Sequence, residues 1–165
     1  MIQRKQTIYM LLAAVCMILL GALNMYTFNA DAASMELRSY GSLVTENGET
    51  TFVPSVKASC MVAIIGISAV LYLVNIFLYK RRETQLSFLY AQYVLILGAV
   101  GYGAYYVISL KNLFEEYVDG KNLELLTSVP GWVLILPVVA LLMNFLAVRG
   151  VAGDIALLRS VDRIR

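Results

Sequence analysis

The sequence predicts an all-α membrane protein, a bundle of four transmembrane helices with a small extracytoplasmic β-hairpin between the first and second. Three observations predict it. Of the 165 residues 60% are hydrophobic and 15% charged, with a mean hydropathy of +0.74, whereas a soluble domain carries roughly a quarter charged residues. Four apolar runs, at about 7–27, 58–79, 87–110 and 131–148, have the length a helix needs to cross a bilayer. The cations also fall on one side of that layout: Arg4, Lys5, Lys80, Arg81, Arg82, Arg149, Arg159, Arg163 and Arg165 against Arg38, Lys57, Lys111 and Lys121. Basic loops are retained in the cytoplasm, so both termini are expected there.

In chain order, Met1 to Lys5 is a basic head and the run behind it is longer than a signal-peptide core. Small residues at Ala30-Asp31-Ala32 offer a cleavage spacing, but a retained first span is the better reading. Val15 before Cys16 is too bulky for a lipid-modification signal. Residues 28–57 form the longest polar stretch, where β-formers at 37–45 and 50–53 flank Glu46-Asn47-Gly48-Glu49. Asn-Gly between such runs is a hairpin signal, because both residues tolerate positive φ. Pro54 closes the ladder before the second span.

Lys80 to Thr84 is a short basic turn that makes the second and third spans antiparallel neighbours. The third span carries Ala99 and Gly103 four apart, a spacing that admits a close neighbour helix. Leu113, Phe114, Tyr117 and Val118 continue its period beyond the bilayer as far as Asp119-Gly120, a glycine stop. Pro130 opens the fourth span, Pro137 bends it, and Trp132 with Tyr26, Tyr105 and Tyr106 fits an interfacial belt. From Gly153 the tail reads as a separate amphipathic cytoplasmic segment over 149–165. Asp154 is its N-cap, and Ile155, Leu158, Val161 and Ile164 lie on one side. The whole chain is thus one membrane domain, residues 1–165.

Function is constrained chiefly by exclusion. The chain has no histidine, which removes imidazole metal and haem sites and His-based triads. It shows no phosphate loop, dinucleotide fingerprint or nucleophile elbow. Cys16 and Cys60 sit at unmatched depths in apolar runs and read as buried reduced thiols. No Asp or Glu falls inside the four runs, which disfavours proton-coupled transport. No catalytic, cofactor-binding or metal-ligating residue is expected, no cofactor and no nucleic-acid partner. Asn75, Gln92 and Asn144 remain, at similar depth near the inner face. They read as an interhelical amide clamp, with a polar vestibule for a lipid headgroup or small solute as the alternative.

The opening Met1-Ile2-Gln3-Arg4-Lys5-Gln6-Thr7 and the closing Leu158-Arg159-Ser160-Val161-Asp162-Arg163-Ile164-Arg165 resemble those of a bacterial family of small four-span membrane proteins. That family is a domain of unknown function, typical of the Bacteroidetes, with a Met-Ile-Gln-Arg start and an Arg-Ser-x-Asp-Arg end. The resemblance implies inner-membrane placement and no established activity. It makes Arg4, Lys5, Arg81, Arg82, Arg159, Asp162 and Arg163 a candidate interaction or anchor cluster. The expected function is a non-enzymatic accessory or scaffold subunit, with membrane lipids and another membrane protein or a second copy as partners. The alternative is a passive transporter or lipid-binding protein using the polar pocket.

Overall fold

The computed structural model describes the backbone of residues 2–30, 33–46, 48–119 and 126–162. Its elements are α1 (Ile2–Ala22), β1 (Asn24–Ala30), β2 (Ala33–Arg38), β3 (Gly41–Glu46), β4 (Glu49–Val53), α2 (Val56–Phe77), α3 (Arg82–Asp119), β5 (Leu126–Ser128) and α4 (Trp132–Asp162). Each of the four helices contains a stretch long and apolar enough to cross a membrane. Each packs on its neighbours in sequence, and α1 also packs on α4, closing a ring of four. The turn between α2 and α3 is tight: a single 3-10 turn, Leu78–Lys80, leaves Arg81 as the one residue between helices. Arg81 N–H donates to the Leu78 carbonyl at 2.9 Å, and Gln85 N–H to the Arg81 carbonyl at 2.9 Å. At 38 residues, α3 is about 57 Å long, well beyond the roughly 30 Å of a bilayer core.

The expected all-α fold with a lone hairpin is corrected. The strands form one antiparallel sheet in the order β4-β3-β2-β1-β5. The Asn-Gly hairpin is present within it as β3–β4, where Glu46 pairs with Glu49 and Gly48 takes φ 85°. Asn47 itself lies outside the described residues, as do Asp31 and Ala32 of the considered cleavage site. Leu37 and Arg38 belong to a separate strand, β2, which pairs antiparallel with β3 across the turn at Ser39-Tyr40. β1 takes Asn24 to Thr27 from the expected first span and Phe28 to Ala30 from the polar stretch behind it, since Leu23, Met25 and Phe28 prolong the apolar run of the helix. It leaves the helix since pairing Phe28 with Met35 and Tyr26 with Leu37 buries one face of the strand. Ser39 Oγ donates to the Gly21 carbonyl, satisfying an acceptor that the end of α1 leaves open.

The sheet is fastened to the bundle by a small core of Phe28, Met35, Leu37, Ala58 and Tyr106. A register irregularity between Asn24 and Tyr26 turns Met25 into the main helical core instead. Tyr106 is therefore fully buried, not part of an interfacial belt. Trp132 keeps its indole at the rim, donating Nε1–H to the Asn24 carbonyl at 3.0 Å. Tyr105 is exposed beside Lys57, whose Nζ stands 5.5 Å from the ring centre. On the outer face of the sheet, hydrogen bonds to the Tyr40 phenol and the Glu36 carboxylate raise the pKa of Arg38.

α4 runs unbroken to Asp162, which corrects the separate tail. Glycine in a helix interior is unfavourable by only about 1 kcal/mol, and Val151, between Gly150 and Gly153, is buried in the core. Asp154 is consequently not a cap but a side chain on the inner face of a long helix. Ile155 is partly buried and Leu158 exposed. The side chains of Val161, Ile164 and of residues 113–119 lie outside the described residues. Cys16 is half-buried and Cys60 exposed, so the expectation of a buried thiol fails for Cys60, which points out of the bundle.

Candidate functional site

The buried face of each helix repeats in alternating steps of three and four. In α2 it is Met61, Ile65, Ser68, Tyr72 and Asn75. In α3 it is Gln85, Leu89, Gln92, Ile96 and Ala99; in α4, Ala140, Asn144, Ala147, Val151 and Asp154; in α1, Gln6, Met10, Ala13, Met17 and Leu20. This is the 3.5-residue repeat of knobs-into-holes packing. The small side chain of Ala99 lies on that seam, and Gly103 meets Met61: a Cβ at Gly103 would stand 3.4 Å from Met61 Cε. The Ala99/Gly103 pair thus serves an internal neighbour, α2.

The polar residues of these seams hold the helices to one another. Ser68 Oγ donates to Gln92 Oε1 at 2.8 Å, and Gln92 Nε2 returns a bond to the Ser68 carbonyl at 2.8 Å, joining α2 to α3. Tyr72 Oη donates to Asn144 Oδ1 at 3.1 Å, and Asn144 Nδ2 donates to the Leu89 carbonyl at 3.1 Å, joining α4 to both. Gln92, Asn144 and Asn75 are each 0% exposed. The expected contact of the three amides with each other is not what forms. Two of them choose a serine, a tyrosine and two backbone carbonyls, and the Asn75 amide has no hydrogen-bond partner among the described residues. The carbonyl of Asn75 accepts from the Gln85 side chain at 3.2 Å, in addition to the Leu78 N–H that caps α2.

At the end that carries the termini, a second polar group ties three helices. Asp154 Oδ2 of α4 accepts from Gln6 Nε2 of α1 at 3.0 Å and pairs with Arg82 Nη1 of α3 at 3.0 Å. The Asp154 side chain is 8% exposed and that of Arg82 24%. Gln6 is pressed against Gly150, where a Cβ would stand 2.8 Å from Gln6 Cγ. Gln6, Gln85 and Asp154 were not among the residues expected here, and the seam repeat is the signal that finds them. Asp154 lies beyond the expected fourth run, 131–148, but still on the same long helix, within its apolar window Trp132–Ser160.

Of the expected interaction cluster, the structure brings Arg81, Arg82 and Arg159 together. Arg82 is engaged with Asp154, and Arg159 Nη2 pairs with Glu83 Oε1 at 3.1 Å on the surface. Lys5 is exposed at the same end of the bundle. The side chains of Arg4, Asp162 and Arg163 lie outside the described residues. Near the sheet, a second feature is an apolar cleft of about 260 Å³ between α3 and α4, bordered by Met25, Met61, Ala99, Gly103, Val133 and Pro137. Among the described residues no three metal-ligating side chains gather.

The geometry can do three things chemically: close a bundle core, present a charged end, and present a sheet at the opposite end. A family model described as a Domain of unknown function (DUF4293) matches residues 2–164. No curated protein matches the chain.

Proposed function

We propose for this chain, which belongs to the DUF4293 family, a non-enzymatic role as an accessory or scaffold subunit of the bacterial inner membrane. Both termini lie in the cytoplasm and the sheet lies outside. The observation that carries this reading is where the polar groups are. Gln92 and Asn144 are fully buried and bonded between helices, so the core is organised to hold shape. What remains for recognition lies at the two ends. At the outer end, every residue of β4 is exposed, and β4 is the edge of the sheet. An unpaired edge strand accepts a further strand through its backbone. At the inner end, Lys80, Arg81 and Arg159 face solvent, and nine of the thirteen cations of the sequence belong to that side, which supports the orientation.

The experiment is extraction from native membranes in mild detergent, with the mass and components of the resulting complex determined. A discrete assembly containing a second membrane protein is the expected result. A lone 18.3 kDa chain would contradict the accessory role. A second reading, a passive transporter or lipid-handling protein with an inner polar pocket, is favoured by one observation, the Asn75 amide without a hydrogen-bond partner among the described residues. Solute or lipid flux in vesicles that is lost in Asn75→Leu would support it over the first.

A further inference from the structure

Lys80, Arg81, Arg82 and Arg159 line a cleft of about 440 Å³ at the termini end, with Ile155 and Leu158 as its apolar wall. Directly across the Glu83–Arg159 pair lies a second hollow, of about 500 Å³, lined by Leu86, Ala152, Ile155 and Ala156. The two share Glu83, Ile155 and Arg159. One is cationic, the other apolar, and they meet at a single ion pair. We infer that together they bind one anionic phospholipid, the phosphate against Lys80 and Arg81 and an acyl chain along Leu86, Ala152 and Ile155.

The charges are suited to exchange. Arg82 is committed to Asp154, at 3.0 Å and largely buried, so it shapes the cleft without being its main ligand. Lys80 and Arg81 are exposed and form no ion pair among the described residues. Arg159 and Glu83 are 73% and 79% exposed, and a surface pair of that kind holds weakly, so a phosphate can take Arg159 from Glu83. Basic pockets between helices at a membrane face suit lipid phosphates. A free phosphate ion would use the first hollow and gain nothing from the second. A zwitterionic headgroup would bring its own cation into a cleft that is already positive.

This inference rests on the helices spanning a bilayer with this end in the headgroup layer. The test uses the full chain purified in detergent and delipidated. Phosphatidylglycerol, phosphatidylcholine or inorganic phosphate is then added, and retained adducts are read by native mass spectrometry beside the melting temperature. Phosphatidylglycerol is expected to be retained and to raise the melting temperature, and phosphatidylcholine and inorganic phosphate to do neither. Lys80→Gln with Arg81→Gln is expected to weaken retention by roughly tenfold or more while lipid-free melting stays unchanged. Arg159→Gln alone is expected to weaken it to a smaller degree, and it provides the same test should the double variant fold poorly. Arg149→Gln, whose side chain is exposed outside the cleft, is expected to have no effect. Equal retention of phosphatidylcholine, equal protection by inorganic phosphate, or equal loss in Arg149→Gln would overturn the inference. So would full retention in the Lys80/Arg81 and Arg159 variants. A purified chain that stays soluble without detergent would overturn the spanning reading, and the lipid site with it.

Discussion

Asp154 is the residue on which most of the basic end of the bundle depends, because it is a buried acid held by one amide and one guanidinium from different helices. Removing one partner of a fully buried ion pair destabilises by about 3–5 kcal/mol. Arg82 keeps 24% of its side chain in contact with solvent, so the stranded cation is partly hydrated, and Asp154→Ala is expected to lose about 2–3 kcal/mol. Thermal unfolding in detergent checks this, and Arg82→Gln in the same background should recover part of the loss. Two glycines one turn apart give a second contrast. Gly153 has open space around its Cβ position and Gly150 has Gln6. Gly153→Ala is expected to stabilise by up to about 1 kcal/mol through helix propensity. Gly150→Ala is expected to lose stability, since displacing Gln6 breaks a bond to a carboxylate worth about 1.5–3 kcal/mol. The amides divide in the same way. Asn144→Leu strands the Tyr72 hydroxyl, removes a second bond to the Leu89 carbonyl and should lose roughly 1–2 kcal/mol. Asn75→Leu removes an amide that has no partner among the described residues and should be neutral or stabilising.

The sheet is stabilised at points that a hydropathy reading passes over. Gly41 begins β3 where Phe52 of β4 packs on it: a Cβ at Gly41 would stand 2.6 Å from the Phe52 ring. Gly41→Ala therefore forces the ring away and is expected to loosen β3 and β4 alone. Hydrogen exchange should quicken at the amides of 41–53 while those of α2 and α4 keep their protection. Some of this element was legible and some was not. The β3–β4 turn could be read because Asn-Gly has few other uses between two β-forming runs. β1 could not, because Leu23, Met25 and Phe28 prolong the apolar run of the helix before it, and what makes it a strand is a partner, β2, met only after the chain turns back. β5 spans three residues and carries no period of its own. The end of α4 was misread for the opposite reason. Gly153-Asp154 is a good local helix start, and only the tertiary partners Gln6 and Arg82 make the acid welcome in the middle of a helix.

For the molecule as a whole, four long apolar runs and a lopsided distribution of cations were enough to anticipate the bundle. Which faces turn inward was harder to see, since the outward faces are apolar too: Leu97, Leu134 and Val94 are among the most exposed side chains. The discriminating signal is the sparse polar residues, which fall on one 3.5-residue seam per helix from Gln6 to Asp154. Depth alone grouped Asn75, Gln92 and Asn144, but side chains bond to what the seam places beside them, so Ser68 and Tyr72 were missed. The resulting molecule has a bonded core, a basic end and a sheet end. Both the accessory role and the lipid site require those ends to lie on opposite sides of the inner membrane. Labelling with a membrane-impermeant maleimide tests this most directly, using Thr51→Cys or Ser160→Cys, both at exposed positions, in a Cys16→Ala, Cys60→Ala background. Thr51→Cys should label once the outer membrane is opened, and Ser160→Cys only after the inner membrane is permeabilised. Labelling of both before that step, or of neither, or in the reverse order, would contradict the orientation.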